Sequence, residues 1–177
     1  MKVLVAVASR HDATRGIAQV IADELETSGL GVDLRDADTV ANISDYQAVV
    51  LGSAIYTGGW LAEAKHLVDF QGPALRKITV WLFSSGPLGA DDTKTLDDLP
   101  EVQELMKATG AREHRVFSGR LDKQRLNLAE RSVTKVVAAQ EGDFRDLGAI
   151  IAWAQSIALF LHPRASENNP GRRGQRD

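Results

Sequence analysis

The chain contains no cysteine. That absence excludes disulfides, thiolate zinc sites, cysteine-ligated iron–sulfur clusters and catalytic thiols together. Any redox chemistry must therefore come from a bound cofactor. No proline-rich or serine-rich linker divides the 177 residues, and no internal repeat is visible, so one domain with one substantial core is expected over residues 1–162. There is no excess of positive charge either. The net charge is −3, with 44% apolar and 25% charged residues, which describes an ordinary soluble globular chain and gives no support to a nucleic-acid binder.

Long apolar runs are also lacking. The segment "LGAIIAWAQSIALFL", Leu147 to Leu161, falls short of the ~20 residues a bilayer requires and contains Gln155 and Ser156, so it reads as a buried or half-buried terminal helix. The run Val3 to Ala8 is too short for a signal-peptide core and is followed by Arg10-His11-Asp12. A cytoplasmic protein is expected. The tail from residue 163 to 177 has no apolar periodicity and is expected to be disordered, its four arginines against two acids making only a weak basic patch.

Several motifs are missing. There is no Walker glycine–lysine loop and no G-x-G-x-x-G after the first strand, which argues against standard triphosphate and dinucleotide binding. No G-x-S-x-G nucleophile elbow occurs. His11, His66, His114 and His162 are scattered without metal-ligand spacing, so no metal site is expected. A phosphoacceptor receiver domain would need acidic residues where Ala8-Ser9 and Gly52-Ser53 stand.

What is present is an alternation of strand and helix. "KVLVAVA", Lys2 to Ala8, is a β-rich run suited to a strand covered on both faces. Ile17, Val20, Ile21 and Leu25 then recur at helical spacing, with Gly29 as a stop. Further strands are expected at Gly31 to Arg35, Gln47 to Leu51, Ile78 to Phe83 and Glu113 to Phe117. Helices are expected from near Trp60, over Glu101 to Thr109 and around Leu128 to Val137. This pattern predicts an α/β fold, a doubly wound parallel sheet with helices on both faces.

Such sheets bind ligands beyond the carboxyl ends of their strands. The loops to inspect are "SRHDAT" (Ser9, Arg10, His11, Asp12, Ala13, Thr14), "GSAIYTGGW" (Gly52 to Trp60) and "SSGPLG" (Ser84, Ser85, Gly86, Pro87, Leu88, Gly89). The first precedes a helix whose opening N–H groups lack intrahelical partners, a seat for an anion to which Ser9 and Thr14 add hydroxyls and Arg10, His11 or Arg15 positive charge. Tyr56, Trp60 and Pro87 offer flat or apolar surfaces for an aromatic ring system. No side chain stands out as an acid–base catalyst.

These three loops, in this order, resemble the flavodoxin family, and in particular its branch that includes menaquinone-dependent protoporphyrinogen dehydrogenases. In that family the first loop, of a pattern like S/T-x-T-G-x-T or S-K-H-G-S-T, wraps the phosphate of FMN. "VVLGSAIYTGGW" and "WLFSSGPLG" resemble the two loops that hold the isoalloxazine ring, and "EGDFRDLGAIIAWAQSIA" resembles the closing segment and final helix. The resemblance covers most of Met1 to Leu161. It implies a five-stranded parallel sheet of order 2-1-3-4-5, FMN as cofactor, and electron transfer or oxidoreductase chemistry with a redox partner, a quinone or a porphyrinogen. On it, Ser9, Arg10, His11, Asp12, Ala13 and Thr14 would surround the phosphate. Ser53, Ala54, Ile55, Tyr56, Thr57, Gly58 and Trp60 would frame the ring with Ser84 to Gly89. The terminal helix and basic tail would be the parts to meet a membrane.

The first loop departs from the pattern at two places: Asp12 replaces the family's glycine, and Ala13 replaces a hydroxyl or amide residue. Two unit charges about 5 Å apart at an effective dielectric of about 20 repel by roughly 3 kcal/mol, and a carboxylate turned into water by a few tenths. Three arrangements follow. Asp12 points outward or pairs with Arg10 or Arg15 and FMN binds; or Asp12 caps the first helix and uses the amides a phosphate needs; or the ligand is a flavin without the phosphate. A flavodoxin-like scaffold that has lost the cofactor and serves as an interaction or regulatory module is the alternative of a different class.

Overall fold

The computed structural model describes residues 1–10, 12–56, 58–86, 100–121 and 142–162. Its elements are β1 (Lys2–Ala8), α1 (Ala13–Thr27), β2 (Gly31–Asp36), a 3₁₀ turn (Ala37–Thr39), β3 (Ala48–Tyr56), β4 (Gly59–Trp60), α2 (Ala62–Leu75), β5 (Thr79–Gly86), α3 (Pro100–Thr109), β6 (Glu113–Ser118), β7 (Arg120–Leu121), β8 (Gly142–Asp143) and α4 (Leu147–Leu161). The main sheet runs β2-β1-β3-β5-β6, all parallel, with β4 folded antiparallel onto β3. Without β4 this is the expected 2-1-3-4-5 order. The expected helix around Leu128 to Val137 and the expected disordered tail lie outside the described residues.

The continuous apolar run of β1 has a simple cause. Val3, Val5 and Val7 pack under α1 and α4, while Leu4, Ala6 and Ala8 pack toward α2 and the 3₁₀ turn. Successive side chains of a strand point to opposite faces, so a strand covered on both sides has no polar face to show. Val50 with Leu51 and Phe83 with Leu82 divide between the same two layers.

Helix ends are set by local chemistry. Gly29, at φ 86°, closes α1, with Gly29 N–H bonded to Glu26 O and Leu30 N–H to Leu25 O, the paired bonds of a Schellman end. Asp146 caps α4 by accepting the Ala149 N–H at 3.0 Å. The edge strand β2 is fastened by the Tyr46 hydroxyl, which donates to Asp33 Oδ2 at 2.7 Å, and by Lys2 beside the same carboxylate at 2.9 Å. Those two contacts, the tyrosine's first, hold the Asp33 carboxyl below its usual range.

Two strands run further than their composition suggests. The segments from Gly52 and from Ser84 read as loops in the sequence, yet β3 continues to Tyr56 and β5 to Gly86. Ser53 is paired with Ala8 on one side and Ser84 on the other, so the ladder claims its backbone groups whatever its side chain. Gly52 also answers a packing demand: a Cβ there would lie 2.0 Å from Phe83 Cζ. The Phe83 ring fills that space and meets Trp153 at 6.2 Å and Phe117 at 6.2 Å between centroids. Gly52→Ala is accordingly expected to destabilise the fold by at least about 2 kcal/mol through overpacking, read from the midpoint of urea denaturation at unchanged slope.

Candidate functional site

Strands β1, β3 and β5 end at one edge of the sheet, so their following segments converge there. Ser9 follows β1, and the first turn of α1 begins four residues later. Ser9 Oγ is buried and, among the described residues, is the one buried side-chain polar atom that makes no hydrogen bond. An unsatisfied buried hydroxyl costs free energy unless something outside the chain meets it. Thr14, in the first turn, is 2% exposed.

Asp12 occupies the N-cap position in a left-handed conformation, φ 60° and ψ −6°, and among the described residues it is the one non-glycine residue with positive φ. Aspartate tolerates this region better than most residues, which explains how it stands where the resembled pattern has glycine. Its carbonyl accepts the Gly16 N–H at 2.8 Å, but its side chain makes no capping hydrogen bond. The arrangement in which Asp12 caps the helix and consumes the anion-binding amides is therefore overturned. Asp146 performs that role for α4; Asp12, an exposed residue, does not for α1.

The neighbouring arginines divide. Arg15 pairs with Asp36 at the end of β2. Arg10 lies over the Tyr56 ring, its Cζ 4.5 Å from the centroid, and so joins the first loop to the second by a cation–π contact. A third arginine was not singled out from sequence. Arg145 lies against the first turn of α1, where a Cβ on Gly16 would sit 2.5 Å from its Nη1. Its Nε and Nη2 bond Asp143 at 2.8 and 2.5 Å, which raises its pKa above the ordinary guanidinium value. Only the absence of a side chain at Gly16 admits the guanidinium, a cue that no motif carries.

The second loop is a tight hairpin: Ile55 pairs with Trp60 and Tyr56 with Gly59, and Gly58 turns at φ 85°. Ala54, Ile55 and Tyr56 are half-buried along its rim. Trp60 departs from the expectation of an open flat surface. It is 3% exposed, packed in the layer beneath, and its indole N–H donates to Ser84 Oγ at 2.7 Å. Ser53 Oγ accepts the Leu61 N–H at 3.0 Å and donates to Ala54 O at 2.9 Å. The hydroxyls of Ser53 and Ser84 are thus turned inward and brace the loops. Ser85 and Gly86 end β5 beside them, Ser85 3% exposed. His11, Thr57, Pro87, Leu88 and Gly89 lie outside the described residues.

Glu101, in the first turn of α3, was also missed. Its Oε2 accepts the Trp60 main-chain N–H at 2.8 Å and its Oε1 meets Lys65 Nζ at 2.8 Å, across 41 and 36 residues of chain. Gly59 leaves room for it, since a Cβ there would fall 2.5 Å from Oε2. Among the described residues no group of histidines and carboxylates is arranged to hold a metal ion, and no helix is long and apolar enough to cross a membrane. A hollow of about 380 Å³ lined by Asp38, Glu63, His66 and Phe70 shares no residue with the three loops.

The class defined by this architecture is a doubly wound α/β domain whose strands β1, β3 and β5 end at one edge of its sheet. The family model described as flavodoxin domain matches residues 4–147, and the chain belongs to the flavodoxin family. Solved structures agree in fold. A flavodoxin from the domain Archaea superposes with a TM-score of 0.62 at 15% identity, covering 90% of this chain and 98% of that one. Flavodoxin 1 of Bacillus cereus gives 0.63 at 14% identity, with 92% and 100% covered. The Streptococcus pneumoniae TIGR4 flavodoxin gives 0.61 at 19% identity, with 91% and 100% covered. No curated protein matches the chain with significant sequence similarity.

The brace at Glu101 is directly testable. Glu101→Ala leaves a part-buried N–H without its acceptor and is expected to cost about 1–2 kcal/mol, with Glu101→Gln recovering part of it, both measured by urea denaturation.

Proposed function

We propose that the protein binds FMN at the carboxyl edge of the sheet and transfers electrons between that flavin and a redox partner. The observation that carries the reading is Ser9 Oγ, a buried hydroxyl without a partner beside the N-terminus of α1, whose N-cap residue Asp12 makes no side-chain capping bond. Those groups suit a phosphate: the amides donate, the helix dipole favours negative charge, and Ser9 completes the cradle. Thr14 and Arg10 stand close in sequence to add a hydroxyl and a charge, with His11 and Ala13 completing the loop. Tyr56 would present a ring at the hairpin, and Ala54, Ile55, Ser85 and Gly86, at the ends of β3 and β5, would border the ring edge. When bound, the isoalloxazine supplies the electron chemistry, and the protein supplies position, exclusion of water and electrostatics.

Membership of the family supports FMN and electron transfer as a class. A small quinone-type molecule as the acceptor, or a porphyrinogen as the donor, is the finer part of the proposal. It rests on the likeness of the loops and closing segment to one branch of the family, and a fold by itself selects no substrate.

Titration of the purified chain with FMN and with riboflavin, followed by flavin fluorescence and visible absorption, tests the reading. FMN is expected to bind more tightly than riboflavin. Binding of neither would leave the cofactor-free scaffold as the reading to pursue. Because Asp12 is exposed, screening keeps its repulsion small. Asp12→Gly is expected to tighten FMN by less than about tenfold and to leave riboflavin unchanged. A hundredfold gain would instead place the carboxylate against the phosphate.

A further inference from the structure

Ser84 is fully buried near the end of β5, and two side chains from other strands converge on its hydroxyl. Trp60, on β4, donates its indole N–H to Ser84 Oγ at 2.7 Å. His114, on β6, places Nε2 2.8 Å from the same oxygen. A serine hydroxyl carries one proton and accepts up to two, and an indole nitrogen only donates. Trp60 therefore uses an acceptor site, and the hydroxyl's own proton still needs a receiver. Among the described residues the one polar atom in reach is His114 Nε2. The balance closes in one way: Trp60 donates to Ser84, Ser84 donates to His114, and the imidazole is neutral with its proton on Nδ1. The opposite tautomer would aim a second donor at the oxygen and leave a buried O–H without an acceptor.

From this chain of bonds we infer that His114 is a positioning residue for the ligand edge, acting through Ser84. It reaches the third loop at that loop's first residue, Ser84. The relay ties the second loop, which ends at Trp60, to the third, which begins at Ser84, and anchors both on a strand outside either loop. Trp60 has little freedom elsewhere. Its main-chain N–H is held by Glu101, and its strand partner is Ile55, one residue from Tyr56. A shift of the Trp60 indole therefore shifts the hairpin that carries Tyr56. Neither His114 nor Glu101 lies in a recognisable motif, so this support is supplied by the tertiary fold.

The hydrogen-bond relay stands independently of any flavin, whereas its consequence for ring binding rests on the FMN reading. Two measurements on the full chain keep them apart. Nitrogen-15 NMR of the imidazole is expected to show His114 Nε2 unprotonated and Nδ1 protonated. His114→Leu is expected to move the Trp60 indole N–H resonance and to speed its solvent exchange by about tenfold or more. His114→Gln, whose amide oxygen can accept the Ser84 proton, is expected to restore most of that protection. If His114→Leu fails to fold, Ser84→Ala provides the second variant. It removes the acceptor of the indole while leaving the imidazole in place, and the same indole shift is expected.

A protonated Nε2, an indole resonance indifferent to the loss of His114 or Ser84, or a Gln variant no better than Leu would each overturn the inference. For ring binding, riboflavin affinity is expected to fall about tenfold in His114→Leu and to recover in His114→Gln. Failure of the wild-type chain to bind either flavin would sink the FMN reading, and the indole and imidazole signals would still decide the relay.

Discussion

Two-sided burial of the central parallel strands is the constraint on which the rest of this structure depends. A strand covered on both faces must pair its backbone with neighbours on both sides, because no water reaches it. Parallel pairing then forces the connecting helices to cross over and brings the carboxyl ends of β1, β3 and β5 to the same edge. The convergence of their following segments at one edge is a geometric consequence of that arrangement. It needs no residue of its own to exist, only residues that do not fill it.

Small residues along this edge admit side chains from elsewhere in the chain. Gly52 yields its side-chain space to Phe83, Gly59 to Glu101 and Gly16 to Arg145. In each case the missing Cβ is replaced by a side chain arriving from a distant part of the chain. The three segments differ in their support as a result. The second and third are braced from beneath by Ser53, Trp60, Ser84, Glu101 and His114. The first carries the left-handed turn at Asp12 and the Arg10–Tyr56 contact, and keeps Ser9 Oγ unspent.

Asp12 illustrates how one substitution can look worse in sequence than in structure. A carboxylate in a phosphate loop suggests strong repulsion or a self-cap, and both outcomes depend on where the side chain points. In the fold Asp12 is an exposed residue at φ 60° whose side chain makes no capping bond. Charge placement also depends on the fold. Arg15 is drawn to Asp36 and Arg10 to the face of Tyr56, while Arg145 comes to the first turn of α1 from 129 residues further along the chain.

The amino-acid sequence by itself determined the strand–helix alternation, the parallel class of the sheet and the three segments that meet at its edge. Those features come from local periodicity and from the run of apolar residues in strands such as Lys2 to Ala8, and both are written in neighbouring residues. Where β3 and β5 stop, which way Trp60 turns, and which arginine, glutamate or histidine supports the edge were decided only by tertiary structure. Small polar residues such as Ser53 and Ser84 read as loop in isolation, yet ladder pairing on both sides keeps them in strands and sends their hydroxyls inward. Glu101 and His114 gain their roles from partners 41 and 30 residues away, a distance at which pattern carries no signal and only packing brings the atoms together.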